Sequence, residues 1–262
     1  MRRYLLIDIS NSFTKVALAR GNRIGRVHRL QTPTLAATDF DKITSAVDDV
    51  ILSSVVPKKT HVVLKKFPSA CVISPSLDLG IGIDYPNPAA IGADRLANAA
   101  GCVVHYGFPA IVVDFGTAVT FDVISTDGSY IGGVIAPGLG AMTNYLHDRT
   151  ALLPLIRLRE PCRVVGRSTR DAMLSGAIHG YRGLVRNILD KIQAESFPLT
   201  RPHLIATGGD AELIASGEPL FDAVDPLLTL RGLLVIGKKN TPLSARRNGP
   251  RQTRALRDKN TL

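Results

Sequence analysis

The chain of 262 residues is 45% hydrophobic, enough for one large core or two smaller ones. No apolar run approaches the roughly 20 residues of a membrane span, and Asp8 cuts the Tyr4 to Ile7 run short of a signal-peptide core, so a soluble cytoplasmic protein is expected. Of the net charge of +10, residues 238–262 hold +7 through eight lysines and arginines against one aspartate, which leaves +3 for residues 1–237 and argues against a nucleic-acid-binding body.

In chain order, residues 3–30 read as three strands with tight turns between them. Phe40 to Val47 reads as a short helix, Val50 to Val56 as a strand, Pro57 to Phe67 as a helix and Cys71 to Ser74 as a strand. A Gly, Pro and Tyr loop over 80–87 leads into a helix from Gly92 to His105. The pattern then restarts, with strands over Ala110 to Ser125 and Tyr130 to Ile135 and a short helix over Leu139 to His147. The helix over Ser168 to Glu195 is the clearest, with Met173, Ala177, Tyr181, Leu184, Ile188 and Ile192 on one face and Ser168 with Asp171 as a capping box. A strand over His203 to Thr207 and a helix over Pro226 to Ile236 close the series, and the polar, basic stretch from Lys238 to Leu262 reads as a disordered tail. Such a tail could touch nucleic acid or an acidic partner weakly, by counterion release. The cysteines, Cys71, Cys102 and Cys162, form no CxxC pair and read as small core residues rather than a disulfide framework or zinc site. Each half is a run of antiparallel strands followed by alternating helices and strands, which predicts two mixed-sheet α/β domains with a ligand cleft between them.

The repetition extends to the residues. Leu6-Ile7-Asp8-Ile9-Ser10-Asn11-Ser12-Phe13-Thr14-Lys15 overlays Val112-Val113-Asp114-Phe115-Gly116-Thr117-Ala118-Val119-Thr120-Phe121, with Asp on Asp and Thr on Thr. In both copies an apolar strand ends in Asp, turns through small residues and returns. Two such turns are either ordinary hairpins or a pair of clamps for a polyphosphate, with a carboxylate on each side for a metal ion or water. There is no Walker A sequence and no GxGxxG after a strand, so phosphate handling must rest on these turns: Asn11, Ser12 and Thr14 as neutral donors, Lys15 as a cation, Gly116 and Thr117 from the second copy. Gly92-Ala93-Asp94-Arg95 opens a helix. Its aspartate either complements the helix dipole or takes a proton from a hydroxyl while Arg95 clamps an anionic group. The glycines of 132–140 and Thr207-Gly208-Gly209-Asp210 are turns that also suit close backbone contact with a ligand.

Taken together, Asp8-Ile-Ser-Asn-Ser, Tyr85-Pro-Asn-Pro, Gly92-Ala-Asp-Arg, Asp114-Phe-Gly-Thr-Ala, Gly132-Gly-Val-Ile-Ala-Pro-Gly, Arg149-Thr-Ala-Leu-Leu-Pro, Gly166-Arg-Ser-Thr and Thr207-Gly-Gly-Asp-Ala resemble, in order over about residues 4–237, the type III pantothenate kinases. These belong to the superfamily of acetate kinase, sugar kinases, Hsp70 and actin. The resemblance implies two RNase H-like domains, 1–108 and 109–237, an interdomain nucleotide cleft, and a homodimer with the substrate site at the subunit interface. It implies ATP-dependent phosphorylation of pantothenate, with Asp94 as general base on the primary hydroxyl. Asp8, Ile9, Ser10, Asn11, Ser12, Phe13, Thr14, Lys15 and Thr117 would hold ATP with its Mg²⁺. Tyr85, Gly92, Ala93, Asp94, Arg95 and Thr169 would line the pantothenate pocket, and Asp114 would bind a potassium or ammonium ion.

Two positions depart from the pattern. Ser10 stands where the family usually has glycine, in a turn meant to approach phosphate, which predicts weaker nucleotide affinity. Ser168 stands where asparagine is usual. Ser10 and the basic tail favour an alternative in which the chain is a catalytically weak relative acting as a regulatory or transcription-accessory protein. A sugar or acetate kinase is the third reading, opposed by Gly92-Ala-Asp-Arg.

Overall fold

An unbroken apolar run such as Tyr4 to Ile7 needs cover on both faces. The computed structural model of the chain, which describes residues 1–41, 43, 47–217 and 219–241, places it at the centre of a sheet. β1 (Arg3–Ile9) pairs antiparallel with β2 (Phe13–Arg20) and parallel with β4 (Asp49–Ser54), while β3 (Arg23–Gln31) and β5 (Cys71–Val72) complete the order β3-β2-β1-β4-β5. The second sheet repeats this order around β7 (Ala110–Phe115). β8 (Ala118–Ile124) and β9 (Ser129–Pro137) form the antiparallel side, β10 (His203–Gly208) and β11 (Ala223–Val224) the parallel side. One strand has no counterpart: β6 (Gly82–Ile83) runs parallel to β9 at the edge. Two mixed sheets of the same strand order, with helices between and outside them, make this the RNase H-like α/β architecture of the actin and Hsp70 type.

The helices divide the molecule into layers. α1 (Pro57–Lys66) starts with proline at its first position and ends on Lys65 and Lys66, both suited to the helix dipole. Its Val63 packs with Leu5, Ile7, Ile9 and Leu52 on the outer face of the first sheet. α4 (Thr169–Ser196) covers the outer face of the second sheet together with α5 (Ala211–Ala215), packing Leu174, Ile178, Val185 and Ile214 on Ile111, Val113 and Phe115. Between the sheets lie α2 (Ala93–Tyr106) and α6 (Leu228–Asn240), whose Leu96, Ala100, Leu230 and Leu233 share a core with Leu6, Ile51, Val112 and Ile205. The two helices cross closely, because a Cβ on Gly232 would stand 1.8 Å from the Ala97 carbonyl oxygen. α3 (Leu139–Arg149) precedes an irregular stretch over 151–167.

Several expectations shift. The helix expected over Phe40 to Val47 falls partly outside the described residues, and Ala37–Phe40 forms a single 3-10 turn. α6 runs to Asn240, so the first residues of the expected tail are helical, with Lys238 bonded to Asn22, and Lys239 and Asn240 to Asp78. Residues 242–262 lie outside the described residues. Cys102 is buried and Cys71 half-buried, but Cys162 is exposed in the irregular stretch before α4, whose Val164 and Val165 are exposed as well. Among the described residues no helix is long and apolar enough to cross a membrane.

Candidate active site

Alternate residues of a strand face opposite sides of its sheet, and the core shows which side is which. In β1, Leu5, Ile7 and Ile9 face outward and Tyr4 and Leu6 face the middle layer, so Asp8 faces the middle as well. In the second sheet Ile111, Val113 and Phe115 face outward, and Asp114 shares the inward parity of Ala110 and Val112. Asp122 of β8, opposite Val112, shares the inward parity of Ile124. The first turn of α2 enters the same layer with Asp94. Four carboxylates therefore converge, close enough that Asp8 feels the charges of Asp94 and Asp114, and Asp122 feels the same two.

Asp8 is 5% exposed and its Oδ1 has no hydrogen-bond partner among the described residues. Burial pushes its pKa up to about 7; Lys15, directly across the β1–β2 ladder, pulls the other way, and Asp94 and Asp114 add to the rise. A buried, under-satisfied carboxylate suits a bound cation or a donor arriving with a ligand. The turn beyond is closed by Ser10, whose backbone N–H and Oγ both donate to the Phe13 carbonyl, at 3.2 and 2.8 Å. Asn11 is exposed, and the Arg29 guanidinium lies over the Phe13 ring, 3.5 Å from its centroid. Ile9 and Thr14 turn away from the middle layer: Ile9 sits in the outer core, and Thr14 shares a buried 2.9 Å hydrogen bond with Thr32. Thr14 is thus no donor to the cleft, as strand parity alone would have shown.

The second turn meets the first directly. Ser12 Oγ and Thr117 Oγ1 share a hydrogen bond of 2.9 Å. Thr117 is held from behind, since the Gly138 N–H donates to its carbonyl and a Cβ on Gly138 would stand 2.4 Å from that oxygen. Asp114 is held by Asn98, which sequence reasoning missed. The buried Asn98 amide on α2 donates to Asp114 Oδ2 at 2.9 Å, and Thr229 on α6 donates to Asn98 Oδ1 at 2.8 Å, which fixes the amide's orientation. Gly208 packs against the same aspartate with φ +98; a Cβ there would lie 2.6 Å from Asp114 Oδ1. Gly208 is required by this packing, while the exposed Gly209 has open space around it.

Asp94 is half-buried. Its Oδ1 accepts from the Arg95 backbone N–H at 2.9 Å, and a Cβ on Gly92 would stand 2.6 Å from that oxygen, which accounts for glycine there. Burial and the nearby Asp114 raise its pKa, opposed by the Arg95 N–H and charge. The Arg95 side chain does not project freely: its Nε donates to Asp122 Oδ1 at 2.5 Å and its Nη2 to the Phe121 carbonyl at 3.3 Å. Asp122 too was missed, because one aspartate in a strand carries no motif. Tyr85 packs edge-on against Tyr130, beside Gly132. A Cβ on Gly133 would stand 1.7 Å from the Phe121 carbonyl oxygen and 2.7 Å from Arg95 Nη2, so Gly133 makes room for Arg95 as well as for strand pairing, while Gly132 is called for by its φ of +131. Ala93 packs partly into the middle core. Thr169 is exposed in the first turn of α4 beside the Ser168 cap, and no hydrogen bond joins it to Tyr85, Asp94 or Arg95. Among the described residues no group of three or more His, Cys, Asp or Glu side chains is arranged to hold a metal ion by itself.

A sequence profile described as "Type III pantothenate kinase" matches residues 4–191. The chain is 48% identical over 242 residues to the type III pantothenate kinase of Akkermansia muciniphila, covering 90% of this chain and 99% of the relative. To that of Methylacidiphilum infernorum it is 44% identical over 237 residues, covering 89% and 88%. Among solved structures, a Campylobacter jejuni protein described as a Baf family transcriptional activator superposes with a TM-score of 0.60 at 24% identity, over 90% of this chain and 98% of that one, a likeness of fold. With a profile match over most of its length and full-length relatives at this identity, the chain belongs to the type III pantothenate kinase family.

Proposed function

We propose that this chain transfers the γ-phosphoryl group of ATP to the primary hydroxyl of pantothenate, forming 4′-phosphopantothenate in the first step of coenzyme A synthesis. The observation that carries this reading is the place of Asp94: a half-buried carboxylate of raised pKa, facing the layer onto which both aspartate-bearing turns open. Asp94 accepts the hydroxyl proton as the oxygen forms its bond to the γ-phosphorus, the bond from that phosphorus to the β,γ-bridging oxygen breaks, and ADP leaves. A raised pKa serves this role, because a base with an ordinary carboxylate pKa has little appetite for a hydroxyl proton. Ser12 and Thr117, which bond each other, turn their hydroxyls to phosphate oxygens, and Lys15 supplies the cation on the first side. Ser10, Asn11 and Phe13 shape that turn from backbone and rim.

The Mg²⁺ that accompanies ATP neutralises phosphate charge. Hard divalent ions sit well on one or two carboxylates plus phosphate oxygens and water, and Asp8, with a buried unpartnered oxygen, fits that need. Asp114, whose Oδ2 is taken by Asn98, offers its Oδ1 to the potassium or ammonium ion. Arg95 and Tyr85 face the acceptor's carboxylate end beside Gly92 and Ala93. The remaining substrate residue, Thr169, reaches a site through a second copy of the chain in a homodimer. Supporting this are the exposed apolar side chains Tyr145, Leu152, Leu155, Val164 and Val165, on α3 and the stretch that leads to Thr169, a concentration that a monomer in water would not favour. The reading carries a cytoplasmic location with it, where ATP is made and spent.

The test is phosphate transfer from ATP to pantothenate by the purified chain, in potassium and then in sodium. Potassium-dependent 4′-phosphopantothenate is the expected result. A folded protein that yields no product in either salt would sink the reading.

A further inference from the structure

One carboxylate of the site has no part in the reaction above. Asp122 is wholly removed from solvent, and its Oδ2 has no hydrogen-bond partner among the described residues. Its Oδ1 accepts from Arg95 Nε at 2.5 Å, with the Tyr130 hydroxyl 3.5 Å away. The guanidinium it meets is fixed on several sides: Nη2 on the Phe121 carbonyl, the guanidinium carbon 5.7 Å from the Tyr130 ring centroid, and the space at Nη2 kept open by Gly133. A guanidinium is a rigid planar fork with five donors, so fixing Nε and Nη2 fixes the direction of Nη1. Nη1 makes no hydrogen bond among the described residues.

We propose that Asp122 is a positioning residue for substrate selection: it holds Arg95 through Nε so that the Nη1 edge is presented, beside Asp94, to the carboxylate of the acceptor substrate. This rests on the reading in which Arg95 meets pantothenate. A purely mechanical role, fastening α2 to β8, explains the geometry less well. A buried ion pair contributes little net stability, and an apolar pair would fasten the two elements as firmly without an unpartnered oxygen. Burial drives the Asp122 pKa up to about 7 against the pull of Arg95, so its ionised form is held chiefly by that pairing.

The experiment compares pantothenate with the corresponding alcohol, pantothenol, in steady-state assays of the wild type, Asp122→Asn, Asp122→Ala and Arg95→Lys, with melting temperatures alongside. Losing a charge-assisted contact should raise KM for pantothenate about 10- to 100-fold in the Asp122 variants. KM for ATP should stay within about threefold, kcat should fall far less than KM rises, and the preference for acid over alcohol should collapse. Folded Asp122 variants with lowered melting temperatures but unchanged KM and unchanged preference would overturn the proposal and leave a fastener. Arg95→Lys separates the two layers of inference. If it raises KM for pantothenate while the Asp122 variants do not, the positioning role alone falls; if it changes nothing, the assignment of Arg95 falls and takes this proposal with it. Should neither Asp122 variant fold, Asp122→Glu, which keeps the charge and displaces it by one methylene, still decides: a raised KM for pantothenate with KM for ATP unchanged supports the proposal, and unchanged KM and acid preference overturn it.

Discussion

Asp8 and Asp114 occupy the same position in a duplicated strand and turn, yet their surroundings differ. Asp8 is buried with an orphaned oxygen and a lysine across the ladder, whereas Asp114 is half-exposed and gripped by the Asn98 amide. Strand order is not the source of the difference, since it matches in the two sheets; one part lies in the residue across the ladder, Lys15 for Asp8 and Thr120 for Asp114. The helices between the sheets supply the rest. α2 carries Asn98 past Asp114, its first turn places Asp94 between the two, and α6 keys the amide through Thr229. Two equivalent corners thus meet different side chains from the helices of the middle layer, Asn98 beside Asp114 and none beside Asp8 Oδ1 among the described residues.

The largest test of that difference concerns which aspartate takes the proton. Asp94→Asn is expected to lower kcat about 10²- to 10⁴-fold while ATP binding is retained; substantial turnover in this variant would return the base role to one of the twin aspartates. The pKa of Asp94 is raised, so the acidic limb of the kcat/KM profile should lie above the range of an ordinary aspartate, activity falling as pH falls through it. Next comes Asp8→Asn. Removing the orphaned carboxylate should cost about 10²- to 10³-fold in kcat, in the range found for lost electrostatic contacts, yet stabilise the fold. The sign follows from linkage: a folded pKa of about 7 lies above the unfolded value, so the stability tied to the protonated form is complete below the unfolded pKa and is lost as pH rises through the folded one. The melting temperature of Asp8→Asn should therefore overtake the wild type progressively between about pH 4 and about pH 7, at about 2–4 °C for each kcal/mol regained. Equal curves would mean that Lys15 fully compensates Asp8. Asp114 has its own donor in the Asn98 amide. Its corner is tested by Asn98→Ala, expected to raise the potassium concentration for half-activation about 10-fold, with Thr229→Val acting in the same direction to a smaller extent.

Much of this was legible in the chain. The Asp-to-Asp repeat announced two matching turns, and Ser168 with Asp171 fixed the start of α4, where the serine hydroxyl accepts from the Asp171 N–H at 3.1 Å. Strand parity, applied further, would also have sorted inward Asp8, Asp114 and Asp122 from outward Ile9 and Thr14. What stayed hidden depends on contacts distant in sequence. Asn98 reads as a polar residue in an alanine-rich helix until α6, 131 residues later, closes on it. Asp122 is unremarkable until Arg95 is folded against β8. Gly133 was legible as a tight place but not as space for Arg95, since a glycine marks that something comes close without naming it. β6, β11 and α5 are too short for any periodicity to show.

The smallest expected effect concerns the most conspicuous departure between the corners, serine at position 10 against glycine at position 116. A Cβ in the first turn predicts weakened nucleotide affinity if the serine does nothing but occupy space. Its hydroxyl instead adds a 2.8 Å bond to the Phe13 carbonyl, the acceptor that the Ser10 N–H already uses, and so helps close the turn. Ser10→Gly would clear the Cβ but lose that bond and loosen the backbone by roughly 0.5–1 kcal/mol, the ordinary entropic cost of glycine. Opposed effects of similar size leave KM for ATP within about threefold of the wild type. A fall of 10-fold or more on Ser10→Gly would show that the side chain crowds the phosphates and that this corner is the weaker of the two by its sequence. A rise of that size would show the reverse: the hydroxyl holds the first turn as Gly138 holds the second from behind, and the two corners reach the same rigidity by different chemistry.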